Sequence, residues 1–130
     1  MGLDMNAYRT SVKPTKEVDF GDEVYNENES LNSEIKYWRK HPNLHGWMES
    51  LYRSKGGADE SFNCSVVQLT KEDLEQLSAD IHSGSLPQSF GPFFGQSRED
   101  SDEQNADLEF VKDALNAIEE GDTVFYDSWW

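Results

Sequence analysis

Residues 101–130 have the sequence SDEQNADLEFVKDALNAIEEGDTVFYDSWW, and this stretch decides the fold class. The apolar side chains before Gly121 recur at spacings of three and four residues, which predicts a helix with one apolar face. Gly121 then ends the helical pattern. From residue 123 to residue 130 the side chains alternate between two faces, the period of a strand. A helix followed directly by a strand predicts a fold that mixes both elements.

Upstream of this stretch, the sequence predicts two further strands and two further helical segments. Residues 3–12 alternate like a strand, and residues 62–69 contain the β-branched residues typical of one. Residues 30–55 predict a helix that is broken at Pro42, because proline disfavours helix at the residue before it. Thr70 opens a capping-box pattern for the next helix.

These elements predict an α+β fold with a small mixed or antiparallel sheet of about three strands and three helices packed on one face. A chain of 130 residues predicts a single domain over residues 1–130. Residues 13–30 are polar and acidic and contain Pro14 and Gly21, so we expect a mobile acidic loop there.

The net charge of the chain disfavours negatively charged partners. The chain has 26 acidic and 11 basic residues, a net charge of −15. Residues 1–55 carry 9 acids and 8 bases, whereas residues 56–130 carry 17 acids and 3 bases. Such a charge opposes direct nucleic-acid binding and attachment to anionic membranes.

The chain is expected in the cytoplasm, which would be the host cell cytosol if a phage encodes it. It has no apolar run of the roughly 18 residues that a membrane span needs, and its start lacks a secretory pattern. Its only cysteine, Cys64, has no partner for an internal disulfide, which fits a reducing compartment. The sequence does not predict the oligomeric state.

Several short motifs are spread over nearly the whole chain. The motifs are Gly2-Leu3-Asp4-Met5, Tyr37-Trp38-Arg39-Lys40, Leu86-Pro87 with Phe93-Phe94-Gly95, and the aromatic terminus Phe125-Tyr126 with Ser128 and Trp130. Together they resemble a scattered family of small uncharacterised proteins, many of them phage-encoded. The resemblance implies a phage-like origin and no particular activity.

One set of basic and aromatic residues predicts a pocket for a small anion such as a nucleotide. Arginine forks grip phosphate oxygens, aromatic faces stack on a base, and glycine lets the backbone approach closely. The predicted ligand-binding residues are Arg9, Arg39, Lys40, His45, Trp47, Phe93, Phe94 and Gly95. The alternative is that the tryptophans and phenylalanines belong to the core and the basic residues to a solvated face.

Metal and catalytic chemistry have weaker support in the sequence. His41 and His45 have the H-x-x-x-H spacing of a helical metal pair, but Pro42 interrupts the helix between them. We therefore predict no metal site and no cofactor. Asp4 and Asp127 are the carboxylates to examine for acid–base work, because their terminal strands would bring them together if they were neighbours.

The predicted function is a non-enzymatic binding protein for a small anionic ligand or for a host protein. An enzyme that acts on a phosphorylated substrate would use the same pocket. The alternative is an acidic mimic of nucleic acid that inhibits a host nucleic-acid-binding enzyme. The acids that would imitate phosphates are Glu99, Asp100, Asp102, Glu103, Asp107 and Glu109.

Overall fold

The computed structural model describes residues 2–87 and 100–130 and has an α+β fold, as predicted. Its elements in chain order are β1 (Asp4–Thr10), α1 (Gly21–Val24), a 3-10 segment (Asn26–Leu31), β2 (Asn32–Arg39), α2 (Pro42–Ser54), β3 (Val67–Gln68), α3 (Lys71–Ser83), α4 (Ser101–Glu119) and β4 (Thr123–Trp129). No helix within these two ranges combines the length and the apolar character that a membrane span requires.

The sheet has four strands in the order β2-β1-β4-β3, where about three were predicted. All neighbouring strands are antiparallel, which was one of the two predicted arrangements. The central strands β1 and β4 pair along their full lengths, with Asp4 opposite Trp129 and Thr10 opposite Thr123. The two ends of the chain therefore form the middle of the sheet.

The additional strand is β2, and the helix predicted for residues 30–41 is wrong. Ile35 and Trp38 are three residues apart, which suggested a helical face. A bulge in β2, opposite the step from Ala7 to Tyr8, shifts the register at Ile35. Because of this bulge, Ile35 and Trp38 both pack against the main core despite their odd spacing. A bulged strand can thus imitate a helical period.

The predicted helices after Pro42 are confirmed. Pro42 is the first residue of α2, where its missing N–H costs nothing. At α3, Thr70 accepts a hydrogen bond from the Asp73 N–H, and the Asp73 carboxylate accepts one from the Thr70 N–H. Asp100 caps α4 by accepting a hydrogen bond from the Glu103 N–H.

The alternation of β1 and β4 divides the core between the two faces of the sheet. Met5 and Tyr126 are fully buried in the cluster that α2, α3 and α4 cover. Phe125 lies in a smaller cluster on the opposite face, together with Phe20 and Val24. The segment predicted as a mobile acidic loop therefore contains α1 and contributes buried side chains, while its mobility stays a prediction.

Candidate functional site

The junction between β2 and α2 directs His41 into the protein. Lys40 has a positive φ of 57°, and its N–H donates to the carbonyl of Leu3. The chain turns there, and His41 follows as the residue that precedes the Pro42 start of α2. His41 is only 3% exposed as a result.

Trp38 connects the same strand to α4. Its ring packs edge to face on Phe110, with the centroids 4.8 Å apart. Its Nε1–H donates a 3.0 Å hydrogen bond to Oδ1 of Asp107, which precedes Phe110 by less than one helical turn. Asp107 is 2% exposed, so this indole N–H satisfies part of a buried carboxylate.

His41 completes the contacts of that carboxylate. His41 Nε2 lies 2.7 Å from Asp107 Oδ2 and 3.6 Å from Glu103 Oε1. Glu103 precedes Asp107 by four residues, so both carboxylates are on one face of α4. One ligand-type atom from each of these three residues lies within 4.8 Å of the other two.

A cavity of about 240 Å³ adjoins the three side chains. It is lined by His41, Asn43, Ile81, Gly84, Leu86, Asp100, Ser101, Glu103, Gln104 and Asp107. Among the described residues that line it, three are acidic and none is lysine or arginine. The described part of the cavity wall is therefore acidic.

The donor set matches a divalent transition metal. An imidazole nitrogen with two carboxylate oxygens suits zinc, manganese or iron, whereas magnesium and calcium prefer oxygen ligands alone. Ligand atoms about 3.3 Å apart are needed around a tetrahedral zinc ion. The distances of 2.7 Å and 3.6 Å from His41 Nε2 lie on either side of that value. The third separation, between the carboxylate oxygens of Glu103 and Asp107, is within 4.8 Å.

His45 points away from this cavity. Its Nδ1 lies 2.7 Å from the Tyr126 hydroxyl, and its ring is 5.0 Å from that of Phe62. Burial lowers the pKa of His45 to about 4, because the core does not solvate a charged imidazole. His45 is thus a neutral core residue near pH 7, and it does not share a site with His41.

The two arginines of the predicted anion pocket lie at opposite ends of the sheet. Arg9 forms ion pairs with Asp122 at 2.7 Å and Glu120 at 3.2 Å. Arg39 lies opposite Asp4, which is about 17 Å from Arg9 along β1. The structure therefore does not bring Arg9 and Arg39 together.

The rest of that predicted set is also dispersed. Trp47 is half-buried on α2, and its Nε1–H donates to Asp80 Oδ2 at 2.8 Å. Lys40 is exposed at the turn before α2. Phe93, Phe94 and Gly95 lie outside the described residues. None of the five described members, Arg9, Arg39, Lys40, His45 and Trp47, lines the cavity beside His41.

Asp4 and Asp127, the two carboxylates considered for acid–base work, lie on the neighbouring strands β1 and β4. This arrangement was the predicted condition for the two side chains to meet. Asp4 is opposite Trp129, and Asp127 is opposite Asn6. Each accepts a hydrogen bond from a different phenol, Asp4 from Tyr37 and Asp127 from Tyr25. Burial raises the pKa of Asp127. The two carboxylates thus belong to separate hydrogen-bonded pairs.

The acids proposed to imitate phosphates divide between surface and interior. Asp100, Asp102 and Glu109 are exposed, whereas Asp107 is buried and Glu103 is half-buried. Glu99 lies outside the described residues. Mimicry of nucleic acid stays a prediction that now depends on the outward-facing acids.

Sequence reasoning missed Glu103 and Asp107 as partners of His41. As a metal ligand, His41 was considered together with His45, and both acids were treated as surface charges. One local pattern could have identified Asp107, because it lies three and four residues before the buried Phe110 and Val111. An acid on the apolar face of a helix needs a buried partner.

Comparison of the chain with protein-family models, with curated proteins and with solved structures yields no significant match.

Proposed function

We propose that this protein binds a divalent transition-metal ion through His41, Glu103 and Asp107, and that the ion holds a small anionic ligand in the adjoining cavity. The observation that carries the proposal is the buried contact of one imidazole with two carboxylates beside a cavity. Asp107 is the buried carboxylate of the set, and a metal ion would compensate its charge together with the Trp38 N–H.

The number of protein ligands supports an open site. Structural zinc sites use four protein ligands, whereas sites that act on a bound molecule use three and keep at least one position vacant. Among the described residues, three side chains supply ligand atoms, and the cavity lies next to them. A vacant position on that side would accept an oxygen of an anionic molecule.

The ion also resolves the charge problem of the anionic ligand. Glu103 and Asp107 line the cavity with carboxylates, which a phosphate or carboxylate ligand would have to approach. A divalent cation offsets two of these charges and bonds directly to the anion. The proposed source of positive charge is therefore the metal, in place of the arginine and lysine side chains that the sequence suggested.

The cavity limits the size of the ligand. Its volume of about 240 Å³ is below the roughly 300–1,000 Å³ of pockets that enclose drug-sized molecules. Ile81 and Leu86 form an apolar part of the wall. A short organic acid or a small phosphorylated compound suits this space better than a complete nucleotide.

The first test is a calorimetric titration with Zn²⁺ and Mn²⁺, with Mg²⁺ for comparison, after treatment with a chelator. We expect one saturable site for Zn²⁺ or Mn²⁺ and weaker binding of Mg²⁺. Asp107→Asn keeps the shape of the side chain and should abolish this binding, while Asp113→Asn changes an exposed acid of the same helix and should not. Equal affinity in both variants would disprove the site.

The second test concerns the anion. Inorganic phosphate and short dicarboxylates should raise the melting temperature only when the metal is present, because binding to the folded state stabilises it. Binding of the metal without any effect of these anions would retain the metal site and reject the anionic ligand.

A further inference from the structure

A second candidate site lies on the other side of the molecule, at one end of the outer sheet face. Arg39 of β2, Asp4 of β1 and Trp129 of β4 are directly opposite one another in adjacent strands. Side chains in one such row point to the same face, and neighbouring strands are about 4.8 Å apart. Arg39 and Trp129 therefore flank Asp4 at a separation of about 10 Å.

These three side chains surround a small cavity. It measures about 140 Å³, and Gly2 and Trp130 complete its lining. The Trp130 backbone is held on both sides by Asn63, which accepts from its N–H at 3.0 Å and donates to its carbonyl at 2.6 Å. The Trp130 indole donates to the carbonyl of Phe62. One wall of the cavity is thus fixed before any ligand binds.

Arg39 differs from the other described arginines. Arg9 forms ion pairs with Glu120 and Asp122, and Arg53 forms one with Glu49. Within residues 2–87 and 100–130, no carboxylate lies within ion-pair distance of Arg39. The nearest candidate by register is Asp4, whose Oδ1 instead accepts from the Tyr37 hydroxyl. The guanidinium is therefore available in a chain with a net charge of −15.

Trp129 is unusually exposed for its size. Its relative exposure is 67%, and Tyr37 in the next row of the same face is 47% exposed. Each large aromatic side chain left in water forgoes the free energy that burial would provide. Aromatic faces beside an arginine fork suit a flat ring that carries an oxyanion.

We propose that Arg39, Asp4 and Trp129 bind a nucleoside monophosphate across this exposed face, with only a part of the ligand inside the cavity of about 140 Å³ and its base on the exposed Trp129 ring. The Arg39 fork would take the phosphate, Trp129 would stack on the base, and the Asp4 carboxylate would accept N–H groups from the edge of the base. Guanine fits Asp4 best, since its edge presents two adjacent N–H donors where adenine presents one amino group. The negative field of the protein favours a monophosphate over more highly charged nucleotides.

The site is tested by the quenching of tryptophan fluorescence during titration with GMP, in the presence of a chelator. We expect saturable quenching, with weaker quenching by guanosine and none by inorganic phosphate. Arg39→Ala should weaken GMP binding at least about tenfold, the effect of losing one charge-assisted contact. Arg53→Ala removes an arginine that is already paired, and should leave the affinity unchanged.

Two further outcomes separate this site from the metal centre. Asp107→Asn should not alter GMP binding, and Trp129→Ala should abolish the quenching without altering metal binding. Equal GMP affinity in Arg39→Ala and the unmodified protein would overturn the proposal, as would absence of saturation at millimolar GMP. Binding that required added metal would also overturn it, because the ligand would then occupy the cavity beside His41.

Discussion

His41 Nε2 and Asp107 Oδ2 lie 2.7 Å apart in the interior, although 66 positions separate the two residues in the chain. This contact joins the turn between β2 and α2 to the middle of α4. Trp38 donates to the other oxygen of the same carboxylate, so a single buried group holds together three parts of the fold. The candidate metal site is built on that connection.

Trp38→Phe tests the support of the Asp107 carboxylate. The ring would still pack on Phe110, but the indole N–H would be lost and one oxygen of a buried carboxylate would lose its donor. We expect the free energy of unfolding to fall by about 1–3 kcal/mol, measured by urea denaturation. Trp129→Phe is the matched control at an exposed position and should change it by less than about 0.5 kcal/mol. An equal loss of unfolding free energy in the two variants would show that the hydrogen bond from Trp38 to Asp107 does not stabilise the fold.

The elements that sequence predicted correctly are those with local determinants. The capping box at Thr70, the proline at the start of α2 and the apolar stripe of α4 each depend on residues within a few positions. The alternation of residues 123–130 likewise identified β4. β2 was missed because its bulge changed the period, and a bulge depends on pairing with another strand.

The candidate metal site could not be predicted because, like the bulge in β2, it depends on contacts between distant parts of the chain. Its three residues come from one turn and one helix, and only tertiary packing places them in contact. The described residues of the predicted anion pocket do not lie together. They were grouped because of their basic or aromatic chemistry, and chemistry alone does not place residues side by side. Register separates Arg9 from Arg39 along β1, and the inward face of α2 takes His45 into the core.

Metal binding should weaken as the solution becomes acidic. The metal and a proton compete for Nε2 of His41, and the two carboxylates must be ionised to act as ligands. We expect the Zn²⁺ affinity to fall on acidification, with protons released into the buffer during binding. Calorimetry in two buffers of different ionisation enthalpy would measure that release. Affinity independent of pH would place the ion elsewhere.

Gly57→Ala should destabilise the protein through steric overlap. A Cβ added at Gly57 would lie 2.2 Å from Cζ of Tyr52, a fully buried side chain. Either the ring or the backbone must move, and we expect a loss of about 1–3 kcal/mol in the free energy of unfolding. At Gly21 the nearest atom to an added Cβ is 3.7 Å away, so Gly21→Ala is the control and should be close to neutral. A melting temperature of Gly57→Ala equal to that of the control would contradict this close packing of Tyr52 on Gly57.

His45 should make the fold sensitive to mild acid. Its pKa is about 4 in the folded state against an ordinary value of 6.5, so the unfolded chain binds a proton more readily. The resulting stability is complete above pH 6.5 and is lost as the pH falls through 4, by about 3 kcal/mol in total. His45→Gln should reduce the slope of unfolding free energy against pH in that window, while His82→Gln changes an exposed histidine and should retain it. Urea denaturation at several pH values would measure this slope for each variant. Equal slopes in His45→Gln and His82→Gln would mean that other groups control the acid sensitivity.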